Sequence, residues 1–274
     1  MYVCQEMRRS SRWIWNNLYK ARKQNFQLGE ESITDLFLLN LKHNLRRKLA
    51  INVFTKRQEA LNGADWEWWI QGTSGNWLGM RIQAKILHLE ENIYRYLDHK
   101  NKYGKQGDLL VNDASKYGLI PLYFLYTHWD KLQTNKQGHY LRVLTSYHCH
   151  TAQDYGCSIL NPAAVKRKLN LCKSFTGRKQ GECLRQNKSL EAWISDLLPM
   201  PYIFCHDPSV TGDLPSRVLS RLHSWNPDLN SMGLQSSAPP YVRQIIEGDL
   251  DDDSLSMEDS RLKGVMILQE QERD

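Results

Sequence analysis

One stretch limits the fold more than any other. GADWEWWIQG, five turn-type residues and LGMRIQAKIL run from Gly63 to Leu87. Side chains alternate across a strand. Trp66 and Trp68 therefore lie on one face of the first segment, with Asp65, Glu67 and Trp69 on the other. In the second segment Ile82, Ala84 and Ile86 share one face, and Arg81, Gln83, Lys85 and Leu87 the opposite one. Gly72, Ser74, Gly75 and Asn76 supply the turn. The pattern predicts a β-hairpin whose second face carries acid, amide and cation together.

The surrounding chain alternates helical and strand patterns. Residues 4–26 are basic and helical, with Trp13, Trp15, Leu18 and Tyr19 on an apolar side. A second helix covers EESITDLFLLNLKHNLRRK, in which Ser32 and Asp35 fit a capping box and Ile33, Leu36, Phe37 and Leu41 share a face. A strand follows near residues 50–57, then the hairpin. Leu87–Leu97 reads as helical, HKNKYGKQ as a polar loop, and Gln106–Tyr117 as a helix. The apolar run IPLYFLY, Ile120–Tyr126, reads as a buried strand. The order is helix, three strands, helix, strand, an α/β pattern. Beyond it, Ala163–Asn170 and Leu190–Leu198 read as helices and Met200–Cys205 as a strand. Residues 207–240 hold five of the nine prolines and read as loop-rich, and Lys263–Glu270 reads as a last strand.

These patterns divide the chain into an N-terminal helical segment (1–28), a core (29–127), a mostly helical and loop-rich extension for recognition or dimerisation (128–246), and an acidic tail with a final strand (247–274). The net charge of +6 hides an asymmetry. From Glu247 to Asp274 there are ten acidic and three basic residues, so the preceding 246 residues carry +13. A basic body suggests a polyanionic partner, most simply nucleic acid. The acidic run EGDLDDDSLSMEDS could lie in a basic groove and compete with that partner. Lys100, Lys102 and Lys105 form a loop cluster suited to phosphate. Arg46-Arg47-Lys48 and Lys166-Arg167-Lys168 could contact phosphates too, but neither makes a clear patch.

No apolar run approaches the roughly 18 residues of a membrane span. MYVCQEMRRSSRW has no signal-peptide core, so the expected compartment is the cytoplasm. The six cysteines, Cys4, Cys149, Cys157, Cys172, Cys183 and Cys205, are then expected to be reduced. Two sets could in principle hold zinc: His148-Cys149-His150 with Cys157, and Cys172 with Cys183 and Cys205. Their spacings match no finger pattern, and buried thiols are the simpler reading.

Asp65 on one strand with Gln83 and Lys85 on the next brings a carboxylate, an amide oxygen and an ammonium to one face. Oxygen donors suit a hard cation such as Mg²⁺, and a lysine there can hold a water or neutralise a phosphoryl oxygen. The same residues each have a plain structural reading: Asp65 as a turn residue, Gln83 as a polar strand residue, Lys85 as a solvated lysine on a half-exposed strand. His206-Asp207 reads as a loop pair, and WEWW as core packing rather than a base-stacking platform.

GAD ending at Asp65, followed by Gln83-Ala84-Lys85, resembles the PD-(D/E)XK nuclease superfamily, in particular its Mrr-like branch with a Gln-x-Lys motif. The resemblance covers about residues 29–127. It implies a restriction-endonuclease-like core, αβββαβ, with a mixed sheet flanked by helices. It also implies a Mg²⁺- or Mn²⁺-dependent nuclease acting on DNA rather than RNA, in restriction or anti-phage defence, as a homodimer or as a partner subunit. Asp65 would bind the metal, helped by Gln83 or the Ala84 carbonyl. Lys85 would position the attacking water, and Glu31 on the preceding helix would reach the metal through water. Glu30, Glu59 and Glu67 are secondary candidates. Gln83 in place of the commoner Glu implies weaker metal binding. The competing expectation is a non-catalytic nucleic-acid-binding or scaffold subunit that keeps the fold.

Overall fold

A computed structural model describes residues 2–45, 49–53, 64–130, 151–206, 209–229, 231–247 and 264–270. The chain runs through helices α1 (Tyr2–Lys23) and α2 (Glu30–Asn44) into strands β1 (Leu49–Val53), β2 (Trp66–Gln71) and β3 (Trp77–Ile86). A two-stranded ribbon, β4 (Lys100–Asn101) and β5 (Gly104–Lys105), leads to helix α3 (Gln106–Lys116) and strand β6 (Ile120–Tyr126). Then come β7 (Cys157–Leu160), α4 (Pro162–Leu171), α5 (Gly177–Gln186), α6 (Leu190–Trp193), β8 (Leu198–Pro199) and α7 (Met200–Phe204). The last elements are α8 (Leu214–Trp225), α9 (Pro240–Glu247) and β9 (Gly264–Gln269). The architecture is α/β, with a mixed sheet flanked by helices. Helix, three strands, helix and strand follow one another along residues 30–126, with the small ribbon inserted, as the sequence pattern expects.

The residues cluster into two units, each built from three stretches of chain: 1–37, 84–99 and 123–205 in the first, and 38–83, 100–122 and 206–274 in the second.

In the second unit the strand order is β1–β9–β2–β3. Strands β2 and β3 pair antiparallel with Trp66 opposite Ile82, Glu67 opposite Arg81 and Trp69 opposite Gly79. Gly79 is glycine because a Cβ there would sit 2.3 Å from Leu119 and 2.9 Å from the Trp69 ring. Strand β9 lies between β1 and β2, antiparallel to β1 and parallel to β2. The sheet is mixed for that reason. The late strand enters it from a distant part of the sequence, so the first three strands do not form a plain meander. Parallel neighbours need a long connection, and the segment between β2 and β9 provides one.

In the first unit β6, β7 and β8 pair antiparallel in that order. Helix α1 packs on the turn before β7. Ser11 Oγ donates to the Asp154 carbonyl at 2.6 Å and accepts from the Cys157 amide at 2.8 Å. Arg12 pairs with the Asp154 carboxylate at 2.8 Å. Gly156 lets the two backbones meet: a Cβ there would lie 2.0 Å from the Ser11 carbonyl oxygen. Trp15, Trp129 and Tyr155 pack edge to face around this junction.

Several sequence expectations are corrected. Leu87–Leu97 is not a helix. The Leu89 and Asn92 oxygens accept from Arg22, and His88 and Ile93 form bridge pairings. Asn92 adopts a left-handed φ of 54°, so tertiary partners override the local pattern. Met200–Cys205 is a helical turn rather than a strand, and Leu190–Leu198 is helical only over α6. Residues 207–240 include α8, which opens with Asp213 as N-cap, accepting from the Ser216 amide, and Pro215 in its first turn. Helix α2 starts at Glu30, with the Ile33 amide bonded to the Gly29 carbonyl, so Ser32 lies inside the helix and does not cap it.

The cysteines are also corrected. Cys4 is bonded to Cys205 and Cys172 to Cys183, with Cα separations of 4.7 and 5.5 Å. The expectation of reduced thiols came from the expected compartment. Geometry decides otherwise, since both separations fall in the bonding range. Cys172, Cys183 and Cys205 are thus not available as zinc thiolates. Cys157 is free and buried, and burial pushes its thiol pKa well up. His148, Cys149 and His150 lie outside the described residues. So do Arg46-Arg47-Lys48, Asp207 and nearly all of the acidic run.

Candidate active site

Strand β3 is buried along its whole length, on both faces. Arg81, Gln83 and Lys85 are 6%, 1% and 4% exposed. The picture of a half-exposed strand with a solvated lysine is therefore wrong. Lysine is almost never buried without a partner, and each of these three polar groups has one.

In the second unit, Asp65 sits just before β2 and is 3% exposed. Its amide donates to the Ile82 carbonyl at 2.7 Å, which extends the hairpin ladder by one residue. Its carboxylate Oδ2 accepts from Gln83 Nε2 at 2.6 Å. A buried carboxylate is costly to leave unsatisfied, and the amide supplies the hydrogen bond.

In the first unit, Lys85 meets Glu30, with Nζ 3.5 Å from Oε1. The other carboxylate oxygen of Glu30 accepts from the Ile86 amide at 3.1 Å. Glu30 lies in the first turn of α2, where negative charge complements the helix N-terminus. Of the two acidic neighbours, it is Glu30 that reaches the lysine. Glu31, the first choice from sequence, is exposed on α2. Their local sequences differ by one step around the helix, about 100°, and only the docked orientation of α2 distinguishes them.

Glu67 has a different role. Its Oε1 accepts from Arg81 Nε at 2.9 Å and Nη2 at 2.5 Å, and its Oε2 accepts from Trp69 Nε1 at 2.9 Å and from the Tyr241 hydroxyl. Arg81 also pairs with Asp113 and stacks on Tyr117. Glu67 is fully buried and both its oxygens are occupied by protein donors, so it locks the hairpin and offers no metal ligand. Burial, and next the Glu67 charge, raise the Tyr241 pKa well above its ordinary value. Sequence reading missed Tyr241 and Asp113 as partners. Tyr241 is 174 residues from Glu67, and nothing local signals such a contact.

Ala84 is buried within β3 between Gln83 and Lys85. Lys100, Lys102 and Lys105 are exposed on the β4–β5 ribbon. Lys100 stands directly opposite Lys105, and Lys102 lies over the Tyr103 ring at 4.8 Å. Like charges placed opposite one another repel, so the ribbon tip favours an anion. Glu59 lies outside the described residues. Among the described residues, no group of three or more His, Cys, Asp or Glu side chains could hold a metal, and no helix is long and apolar enough to cross a membrane.

A model of a family of unknown function (DUF6615) matches residues 3–274, and the chain belongs to that family. No curated protein and no solved structure matches it.

Proposed function

We propose that this member of a family of unknown function is a metal-dependent nuclease that hydrolyses phosphodiester bonds of DNA. The observation that carries the reading is the burial of Gln83 and Lys85 two residues apart on β3. Burying an amide and an ammonium in a strand costs stability that an apolar pair would not. They fall on the Gln-x-Lys positions of the nuclease resemblance, and Asp65 falls on its acidic position.

The oxygen donors that the resemblance assigns suit the cation that this chemistry needs. Asp65 and Gln83 are hydrogen-bonded to each other, and a half-turn of the Gln83 amide would present its oxygen beside the carboxylate. With the Ala84 carbonyl they offer oxygen donors only, the set preferred by Mg²⁺ or Mn²⁺, which usually keep several waters and take few carboxylates. A bound cation would supply Lewis acidity and a more acidic water. Lys85 would orient the attacking water and neutralise charge on the phosphoryl oxygen. Glu30 would keep the Lys85 ammonium in place between turnovers. Water adds to phosphorus as the P–O bond to the leaving group breaks, and the proton that the water loses is balanced by one gained, through solvent, at the leaving oxygen. A role in restriction or anti-phage defence, as a homodimer or partner subunit, is part of the same proposal.

The experiment is incubation with supercoiled plasmid, linear DNA and RNA in Mg²⁺, Mn²⁺ or EDTA, beside Asp65→Ala and Lys85→Ala. The expected result is metal-dependent DNA cleavage lost in both variants. Cleavage that persists in both places the chemistry elsewhere.

A second reading has its own support. Each polar side chain on this face is already engaged by a protein partner, Asp65 by Gln83 and Lys85 by Glu30. A non-catalytic nucleic-acid-binding or scaffold subunit would keep such pairs for fold specificity alone. Wild-type protein that binds nucleic acid but cuts no substrate in either metal supports it.

A further inference from the structure

Helix α5 buries none of its ten residues. It contains Gly177 and Gly181, and a helix this short is marginal in water without packing. A covalent tether holds it instead: Cys183 on α5 is bonded to Cys172 at the end of α4, and Asn187 Nδ2 lies 3.1 Å from the Cys172 sulfur. A helix that adds nothing to the core yet is stapled in place is kept for its outer surface.

That surface is basic. Residues 162–188 carry eight basic side chains and one acidic, Glu182. Two of the eight bind acidic residues outside the helix pair. Lys168 binds Asp196 at 3.1 Å and lies over the Trp193 ring at 4.1 Å, and Lys188 binds Asp98 at 2.5 Å. The other six, Lys166, Arg167, Lys173, Arg178, Lys179 and Arg185, are exposed, with Arg178 paired to Glu182 at 2.7 Å on the same outer surface. Between the helices Phe175 is 45% exposed, set among these cations.

We propose that the stapled pair α4–α5 is a docking surface for nucleic acid, gripping backbone phosphates with these six side chains. The charge fits a polyanion, and an exposed aromatic among cations suits contact with a base or sugar. A lipid surface fits less well. An interfacial helix needs a broad apolar face, and α5 has only Cys183 and Leu184, of which Cys183 is in the disulfide. The inference does not rest on hydrolysis, so its test is run in EDTA.

The test measures anisotropy of a labelled DNA duplex with the full chain across a salt series, for wild type and for Lys173→Ala/Arg178→Ala/Lys179→Ala. Each phosphate contact contributes about 0.9 to the log–log salt slope. The triple variant should bind at least ~10-fold more weakly at low salt and lose about 2 to 3 from the slope. Its melting temperature should stay near the wild-type value, since all three side chains are exposed. Cys172→Ser/Cys183→Ser, which removes no cationic group, should also weaken binding, because the helices lose their fixed spacing. Unchanged affinity and slope in the triple variant would overturn the proposal. So would a wild type that ignores the duplex but binds phosphatidylserine vesicles.

Discussion

Gln83 donates its Nε2 to Asp65 Oδ2 at 2.6 Å, between the second strand of a buried hairpin and the residue that opens its first. An amide beside a carboxylate is stable without a cation. Two carboxylates in the same place are not.

Gln83→Glu should therefore melt below wild type in EDTA and recover when Mg²⁺ or Mn²⁺ is added. The wild-type shift with metal should be smaller. A ligand that binds only the folded state raises its stability by mass action. Scanning fluorimetry across a metal titration reads both effects. A variant that stays destabilised at saturating metal argues against a cation at this position.

Lys85→Met keeps the stem and removes the ammonium. Removing one partner of an ion pair leaves the other uncompensated, but Glu30 is 26% exposed and keeps its bond from the Ile86 amide, so the melting temperature should fall only modestly. DNA cleavage should fall by about 100-fold or more if the ammonium stabilises the transition state. Single-turnover cleavage with matched circular dichroism separates the two effects. Cleavage at the wild-type rate would remove Lys85 from the chemistry.

Glu67→Ala should be a stability mutant and not a catalytic one. It leaves Arg81, which is 6% exposed, with one carboxylate partner fewer. Breaking a buried pair costs about 3–5 kcal/mol. The urea midpoint should drop accordingly, while the folded fraction keeps its activity and metal response.

His128 sets an acid limit on stability. Burial, and next the Arg22 guanidinium that donates to its Nδ1 at 3.2 Å, lower its pKa from 6.5 to about 4. Between those values the unfolded chain takes up a proton that the folded chain refuses. Stability should fall as pH drops through that window and level off below it. His128→Gln keeps an acceptor for Arg22 and cannot titrate, so its melting temperature should depend less on pH there. His88, lowered chiefly by burial and then by Arg95, adds to the same trend and remains in the variant.

Reduction should destabilise the protein mainly through Cys4–Cys205. The bridges span sequence separations of 201 and 11 residues. Chain entropy assigns about 5 kcal/mol to a loop of the first size and about 3 kcal/mol to the second. Cys205→Ser should therefore lower the melting temperature more than Cys183→Ser.

Much of this was legible in the residues. The hairpin shows in its period-two alternation and turn residues, and α3 and β6 in their apolar patterns, because each signal lies within a dozen consecutive residues. The pairing of Asp65 with Gln83 was foreseeable too, once the hairpin set the two segments side by side. The segment Leu87–Leu97 departs from its helical pattern because Arg22, far along the chain, holds the Leu89 carbonyl and the Asn92 side-chain oxygen. The disulfides escape the sequence because the compartment it suggests implies reduced thiols, while the Cα separations that permit the bonds exist only in the fold.

By itself, then, the sequence determined the local elements and the polar face of the hairpin, since both follow from periodicity. Tertiary structure alone decided that this face is buried on β3, that Glu30 and not Glu31 meets Lys85, and that Glu67 is a lock shared with Arg81 and Tyr241. It also put β9 between β1 and β2. Each of these depends on which distant segment packs against which, and that is settled by burial of apolar surface over the whole chain and by satisfying the polar groups buried with it.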